Sequence, residues 1–488
     1  MIPFLYGLRK SVRFEKKNGS CLVISEIPLN IVRVTERAVQ ILRLCDGART
    51  LEQIAAETGL SGGEEQVFKI CDYFTKRGVL EIKPANNSSY VPFVTVIIPT
   101  RDRQNDLAEC LESVFSQDYP RDRIEMIVID DGSKDDTRTI VGMFPCKLVS
   151  HRESRGQSYC RNIGAKEAKG EILAFIDSDC VAGKNWLREL VPPFQWDHVG
   201  AVGGYVDGYF QESALDRYEK VCSSLNIGNH IIYGTNGNST FYVPTCNLLV
   251  RKTAYAETGG ITESLHVGED VDFCWRLLSR GYDMFYLPRG PVRHKHRSHL
   301  WRMLKRRADY GTSEALLYSL HEEKKKVFQL PPLAAAMFLA LCIAILLFSV
   351  VPLLPAGVCF IVEALTKMGR IGRLNASLSP WKILFSTVRS HFSFCYFVSF
   401  HLIRYYLLLF LLLGILFHTV LYVCLFMLIV ASSVDYSLKR PSLSFPLFLF
   451  YYVLEHISYQ LGVFAGCLRR KTFGSYSARV VRKLVGFP

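Results

Sequence analysis

The chain has 488 residues, more than a single hydrophobic core organises, so two or three units are expected. Hydrophobic residues make up 49% and the mean hydropathy is +0.15, which excludes a uniformly soluble enzyme and calls for membrane-embedded segments. The net charge of +13, with a pI near 9.0, suits either nucleic acid or the cytoplasmic face of an anionic membrane.

The opening "MIPFLYGLRKS" has no long apolar stretch before a cleavage site, so no signal peptide is read there and the bulk of the chain is expected in the cytoplasm. Residues 1–84 read as a small domain. "SVRFEKKNGSCLVIS" predicts a hairpin turning at Asn18-Gly19. "TERAVQILRLCDGART" carries apolar residues at helical spacing, with Thr35 as N-cap and Gly47 as its end. Two further helices and a closing strand complete a winged-helix-like pattern. A polar, Pro-bounded linker follows over 85–92.

Residues 93–325 alternate apolar strands with amphipathic helices. "FVTVIIPT", "IEMIVIDDGS" and "EILAFIDSD" are the strands; helices are expected from Asp106 to Phe115, over "DDTRTIVGMF" and over "CRNIGAKEAKG" to Gly170. That pattern predicts an α/β unit with a mostly parallel sheet covered on both faces, binding its ligand at the strand carboxyl ends. Asp130-Asp131 and Asp177-Ser178-Asp179 both fall there.

From about 326 to 468 the chain is hydrophobic. The uncharged run from Phe328 to Glu363 is long enough to span a membrane once, or to form a hairpin broken near Pro352 and Pro355. "YYLLLFLLLGILFHTVLYVCLFMLIVASSV" is a second apolar run. Residues 443–467 contain Glu455 and His456 and fit a third span, an interfacial helix or a packed one. Gly462 and Gly466 have the GxxxG spacing of close helix packing. The basic loops and the tail over 469–488 are expected in the cytoplasm.

The fifteen cysteines form no CxxC pair and no zinc-ligand spacing. Cys45, Cys71, Cys110 and Cys180 are accordingly read as small buried hydrophobes in a reducing compartment. Asp177 and Asp179 are different. Where a strand turns, two carboxylates so spaced reach one hard cation, Mg²⁺ or Mn²⁺, which also holds phosphates. Glu269, Asp270 and Asp272 precede the helical "VDFCWRLL" and answer its macrodipole. Asp272 is spaced to pair with Arg276. "VRHKHRSH" offers His294 and His296 either as metal ligands or as part of a basic surface.

In this order, "VTVIIPTRDR", "IVIDDGSKDDT", "SRGQSYCRNIGAKEAKGEILAFIDSDC" and "GGITESLHVGEDVDFCWRLLSRGYDMFYLP" resemble the family 2 glycosyltransferases, over roughly 93–300. The resemblance implies a GT-A fold, an inverting hexosyl transfer and a nucleoside-diphosphate sugar donor, UDP-glucose above others. It places Pro99, Thr100, Arg101 and Asp102 in the nucleotide pocket, and Asp131 with Asp130 at the base edge. Gly156, Arg161 and Asn162 come to ribose and phosphates. Asp177, Ser178 and Asp179 form the DxD motif, with Asp177 and Asp179 on the metal. Glu269 and Asp270 supply the general base, with Asp270 preferred. The processive polysaccharide synthases carry a QxxRW motif, which this sequence lacks; "WRMLKRRADYGTSEALL" stands there instead, favouring addition of one or a few sugars.

"TERAVQILRLCDGARTLEQIAAETG" is similar to the peptide-chaperone (PqqD-like) domains of pyrroloquinoline-quinone and other radical-peptide pathways, which pair an edge strand with a precursor peptide. That domain, the transferase and the hydrophobic tail together resemble the glycosyltransferases of mycofactocin systems. The implied acceptor is mycofactocin or its precursor, with the enzyme at the plasma membrane, in contact with its lipid, and its catalytic domain on the cytoplasmic side. The alternative acceptor is a lipid-linked or surface-polysaccharide glycan. A winged-helix DNA-binding regulator is disfavoured, and no nucleic-acid partner expected, because charges over 1–84 are balanced and no basic stripe marks a recognition helix. A catalytically dead peptide scaffold is disfavoured by Asp177, Asp179, Glu269 and Asp270.

Overall fold

The structure, a computed structural model, describes residues 4–17, 20–60, 62–84, 90–234, 240–324, 326–477 and 479–482. They fall into two units, one drawn from 1–87, 327–434 and 479–488, the other from 88–326 and 435–478.

The first unit opens with β1 (Phe4–Leu8), β2 (Val12–Lys17), β3 (Ser20–Glu26) and β4 (Leu29–Val34). β2, β3 and β4 form an antiparallel meander, with Lys17 opposite Ser20; the Asn18-Gly19 turn lies outside the described residues. α1 (Glu36–Leu44), α2 (Leu51–Thr58), α3 (Gly63–Thr75) and β5 (Leu80–Pro84) follow, and β5 pairs with β1. Thr35 caps α1 by accepting the Ala38 N–H. The helix ends at Leu44, short of Gly47. Asp46 takes the N–H groups of Ala48 and Arg49 at 2.8 and 3.0 Å, an alternative to the helical ladder, and Gly47 supplies the φ of +82° that this turn needs. Of the linker, 85–89 lie outside the described residues.

The second unit contains β6 (Val94–Thr100), α4 (Gln104–Phe115), β7 (Ile124–Asp130), α5 (Thr137–Val141), β8 (Lys147–Ser150), α6 (Gln157–Glu167) and β9 (Ile172–Phe175). Next come β10 (Cys180–Ala182), α7 (Trp186–Leu190), β11 (Val199–Gly203), β12 (Val206–Gly208), α8 (Ala214–Cys222), β13 (Ile232–Gly234), β14 (Leu248–Arg251) and α9 (Lys252–Thr258). It continues through α10 (Glu269–Ser279), β15 (Asp283–Tyr286), β16 (Val292–His294) and α11 (Leu300–Leu320). Eight strands make one sheet in the order β13-β15-β11-β14-β9-β6-β7-β8. One half of it, β9-β6-β7-β8, is parallel, and every residue of β6 and β9 is buried, as their apolar runs require. Antiparallel β14 joins β9 to β11. The chain leaves β6 toward β7 on one side and returns to β9 on the other, which opens a crevice at the carboxyl edge. A second sheet, β10-β16-β12, sets Cys180 opposite His294. α6 stops at Glu167, before Gly170, because Ala168 turns to an extended conformation.

β17 (Val327–Leu330), α12 (Pro332–Leu347) and α13 (Leu353–Arg373) return to the first unit. The uncharged run is therefore two helices, parted where Phe348 is left-handed and Pro352 caps α13. Ile371 and Ile383 pack on Leu22, Ile24 and Ile31 of the meander, and Lys382 pairs with Glu26 at 2.6 Å. The second apolar run is divided between α14 (Pro380–Leu416) and α15 (His418–Lys439). Leu421 folds over Gly414, where a Cβ would lie 2.1 Å from its Cδ2. α14 and α15 are long and apolar enough to cross a membrane.

α16 (Phe445–Arg470) belongs to the second unit and lies along α11; β18 (Arg479–Arg482) pairs with β17 in the first. The α11–α16 contact is backbone to backbone: a Cβ on Gly462 would lie 2.0 Å from the Ala308 carbonyl, and one on Gly466 2.5 Å from that of Thr312. Beside it, Arg307 reaches Glu219 at 2.6 Å and Glu455 at 3.4 Å, and the Tyr218 hydroxyl donates to Glu455 at 2.9 Å. Of the readings left open for 443–467, a helix packed on the catalytic unit is the one observed.

Candidate active site

Three loops leave the carboxyl edge of the sheet, after β6, β7 and β9, and their aspartates do different work. Asp102, at φ +50°, donates its N–H to Ser133 Oγ and accepts that of Lys134 at 2.7 Å, tying the first loop to the second. Asp130 is fully buried and takes the Ser133 N–H, Ser150 Oγ and Arg138 Nε. Asp131 accepts from Ser154 Oγ at 2.6 Å and from the N–H groups of Arg155 and Gly156 at 2.7 and 3.0 Å. Burial opposes its charge, but these bonds outweigh that and hold its carboxyl below the ordinary range. Gly156, at φ +93°, starts α6. Pro99 and Thr100 are buried at the end of β6, and Thr100 Oγ1 has no hydrogen-bond partner. Arg101 is exposed. Asn162 faces away from the loops, holding Ile261, Glu263 and Tyr255.

The link between donor and acceptor motifs is Arg161. It is 1% exposed, and its guanidinium reaches Asp177 Oδ1 at 2.6 Å and Glu269 Oε1 at 3.4 Å. Its place is between two carboxylates from separate loops. Burial disfavours the Asp177 charge, yet Arg161 more than compensates and keeps that carboxyl below its usual range. Glu269 is bound a second time, by Gln157 Nε2 at 2.8 Å. Its neighbour Asp270 accepts the Val271 N–H at 2.8 Å. Burial, then the charge of Glu269, push the Asp270 carboxyl up to about 7. A carboxylate poised there is a competent general base near neutral pH. Asp272 is structural: it is buried and holds Thr262, Arg276 at 2.8 Å and His321 at 2.9 Å.

Asp179 lies beside His294, with Oδ1 to Nε2 at 3.6 Å, because β10 pairs with β16. Donor atoms of Asp179, Cys180 and His294 fall within 4.8 Å of one another. The His294 Nδ1 is buried with no hydrogen-bond partner among the described residues. Burial raises the Cys180 thiol well above its ordinary value, which leaves a carboxylate and an imidazole as the ligands a divalent cation would meet. The residues therefore fit such an ion, with Asp177 one residue beyond Ser178, which is buried. His296 stacks on His294 and is driven down to about 2 by burial, so it stays neutral. Three participants were not singled out from sequence. Arg103 pairs with Asp179 at 3.0 Å, next to the quoted Pro-Thr-Arg-Asp; Gln157 holds Glu269; and the charge of Arg306 on α11 acts on both Asp177 and Asp270. Arg306 lies within "WRMLKRRADYGTSEALL", the stretch that stands where the processive synthases carry QxxRW.

The sheet, the acidic loops at its carboxyl edge and the buried Glu269 beyond them form one site, joined through Arg161. Residues 95–259 match the family model described as glycosyl transferase family 2, which places a domain of that family there. The pre-mycofactocin glycosyltransferase of Mycobacterium tuberculosis is 30% identical over 289 residues, 58% of this chain and 59% of the relative. Glycosyltransferase AglE of Haloferax volcanii is 30% identical over 206 residues, 41% of this chain and 66% of the relative. The chain thus spans less than two thirds of each relative's length. Among solved structures, a mannosyltransferase from Pyrobaculum calidifontis in complex with GDP-Man and Mn²⁺ is 20% identical with a TM-score of 0.38, covering 63% of this chain and 90% of that one. Glu269, Asp270 and His294 lie beyond the residues matched by the family model.

Proposed function

We propose that the protein is an inverting, metal-dependent hexosyltransferase. It moves a sugar, glucose from UDP-glucose, onto a peptide-derived acceptor of the mycofactocin type at the cytoplasmic face of the membrane. Arg161 carries this reading: it joins the DxD aspartate Asp177 to Glu269, so the donor motif and the acidic motif belong to one site. The acceptor reading is supported by the pre-mycofactocin relative and by the domain over 1–84, whose β2 and β4 are edge strands of the meander. The membrane is supported by α14 and α15.

In the reaction, the acceptor hydroxyl oxygen attacks the anomeric carbon. The bond from that carbon to the diphosphate oxygen breaks, its electron pair leaves with the diphosphate, and the hydroxyl proton passes to Asp270. Glu269, whose Oε1 accepts from both Gln157 and Arg161, is assigned the positioning role, fixing the start of α10 and with it Asp270. Asp179 and His294, with Asp177, would hold the divalent cation, which when bound neutralises charge on the diphosphate. Arg103 and Arg306 add positive charge at the same place.

The test is transfer from radiolabelled UDP-glucose and other nucleotide sugars to the mycofactocin precursor, with lipid-linked glycans in parallel. Label on the peptide product supports the reading. Label on the lipid glycan alone overturns the acceptor and keeps the chemistry. Label nowhere, with nucleotide sugar bound, overturns both.

A further inference from the structure

α16 has the reverse of the polarity of a water-facing helix. Its buried face, against the catalytic unit, carries Tyr452, Glu455, His456 and Gln460. Its outer face carries Phe450, Leu454, Ile457, Leu461, Phe464 and Leu468, alternating four and three apart in one stripe. Four of these are about half exposed: Phe450 51%, Leu461 53%, Phe464 49% and Leu468 54%. Hydrocarbon outward and hydrogen-bonding groups inward is the arrangement of a lipid-facing helix.

A transbilayer pose is ruled out by the partner. Leu304, Ala308 and Thr312 of α11 meet Ser458, Gly462 and Gly466 in parallel register. This stretch of α11 carries Arg302, Lys305, Arg306, Arg307 and Asp309, charges that hydrocarbon on all sides would not hold. Such a pair can border a membrane only along its surface, not across it. Cations stand at both ends of α16: Lys439 and Arg440 before it, Arg469, Arg470 and Lys471 after it. These suit anionic headgroups. Five residues separate the end of α15 at Lys439 from Phe445, six steps with a reach of at most about 22 Å, so the helix starts near the boundary of any membrane that α15 crosses.

We propose that the outer face of α16 is a lipid-binding surface, lying in the plane of an anionic membrane with Phe450, Leu461, Phe464 and Leu468 in the acyl region and Arg469, Arg470 and Lys471 at the headgroups. It is independent of which sugar or acceptor the enzyme uses. The test uses the full chain reconstituted in phosphatidylcholine–phosphatidylglycerol vesicles, with Phe464→Trp and, separately, Leu461→Trp. The added tryptophan emission is read as the difference from the parent, which has five tryptophans of its own. The expected result is quenching several-fold stronger by lipids brominated near the headgroup than by lipids brominated near the bilayer centre, and little by aqueous iodide. Strong iodide quenching overturns the proposal by placing the stripe in water. Strongest quenching by the deep bromines overturns it in favour of a span. Protection from every quencher, with cross-linking between copies through the same positions, overturns it in favour of a protein partner.

Discussion

At the scale of single residues, two adjacent carboxylates have opposite fates. The sequence places Glu269 and Asp270 side by side and offers little to choose between them; Gln157 and Arg161, more than a hundred positions upstream, make the difference by binding Glu269. Asp270→Asn is expected to lower turnover by ~10²- to 10⁴-fold with nucleotide-sugar affinity nearly unchanged, measured by initial rates and by titration calorimetry. In the parent, kcat/KM should rise with pH up to about 7 as Asp270 ionises, and the variant should lose that limb. Stability moves the other way. A carboxyl raised above its unfolded value binds its proton more tightly when folded, so its contribution is intact at acid pH and lost as pH rises through the folded value near 7. Asp270→Asn should therefore unfold at a higher temperature than the parent at pH 8 and at a similar one at pH 4. At the metal position, Asp179→Asn and His294→Ala should each weaken Mn²⁺ binding at least tenfold, read by electron paramagnetic resonance, with the fold unchanged by circular dichroism. The strand-end aspartates were legible as a group, because apolar runs ending in acid are rare. Their distant partners were not: Asp102 is bound by Ser133 and Lys134 of the loop after β7, and Asp130 by Ser150 at the end of β8, and one chain position does not announce another.

At the scale of elements, hydrophobic periodicity marked the central strands and most helices, since burial on both faces leaves a continuous apolar run. It failed at ends decided by local hydrogen bonds, as at Leu44, where Asp46 competes for the backbone, and at Phe417, where Gly414 lets two helices of similar composition separate. The Gly462–Gly466 spacing was visible, but its partner helix, α11, is some 150 positions away, and only the fold brings it to Ala308 and Thr312. Gly462→Val places methyl groups where backbone already lies. With overpacking costing about 1–3 kcal/mol, the unfolding midpoint should fall by roughly 2–10 °C, followed by intrinsic fluorescence in detergent. A midpoint equal to the parent's would mean that α16 does not pack there.

For the whole molecule, composition foretold a membrane component, and the order of motifs foretold the transferase domain. Neither foretold that the apolar region divides, α12 to α14 joining one unit and α16 the other. Linear composition shows how greasy a segment is but not what it packs against; Glu455, buried between Tyr218 and Arg307, makes α16 part of the catalytic unit. On the proposed topology, the lysine and arginine bias of the short loops is expected to keep the tail after Arg469 on the side that holds the transferase. A cysteine introduced at Ser477 should resist a membrane-impermeant maleimide in intact cells and react after permeabilisation; equal labelling in both would reverse the orientation.

The Arg161 bridge also bears on the timing of catalysis. The guanidinium serves Asp177 through Nη2 and Glu269 through Nη1, and it sits closer to Asp177, at 2.6 against 3.4 Å. Whatever engages Asp177 releases Arg161 toward Glu269, which alters the charge felt by Asp270 next door. On the proposed mechanism, a donor that engages Asp177 would change the charge near Asp270 before any acceptor is present. Substrate addition should be compulsory in order, donor first, with the nucleoside diphosphate departing last. Product-inhibition kinetics would display this as competition between nucleoside diphosphate and nucleotide sugar, but not between nucleoside diphosphate and acceptor.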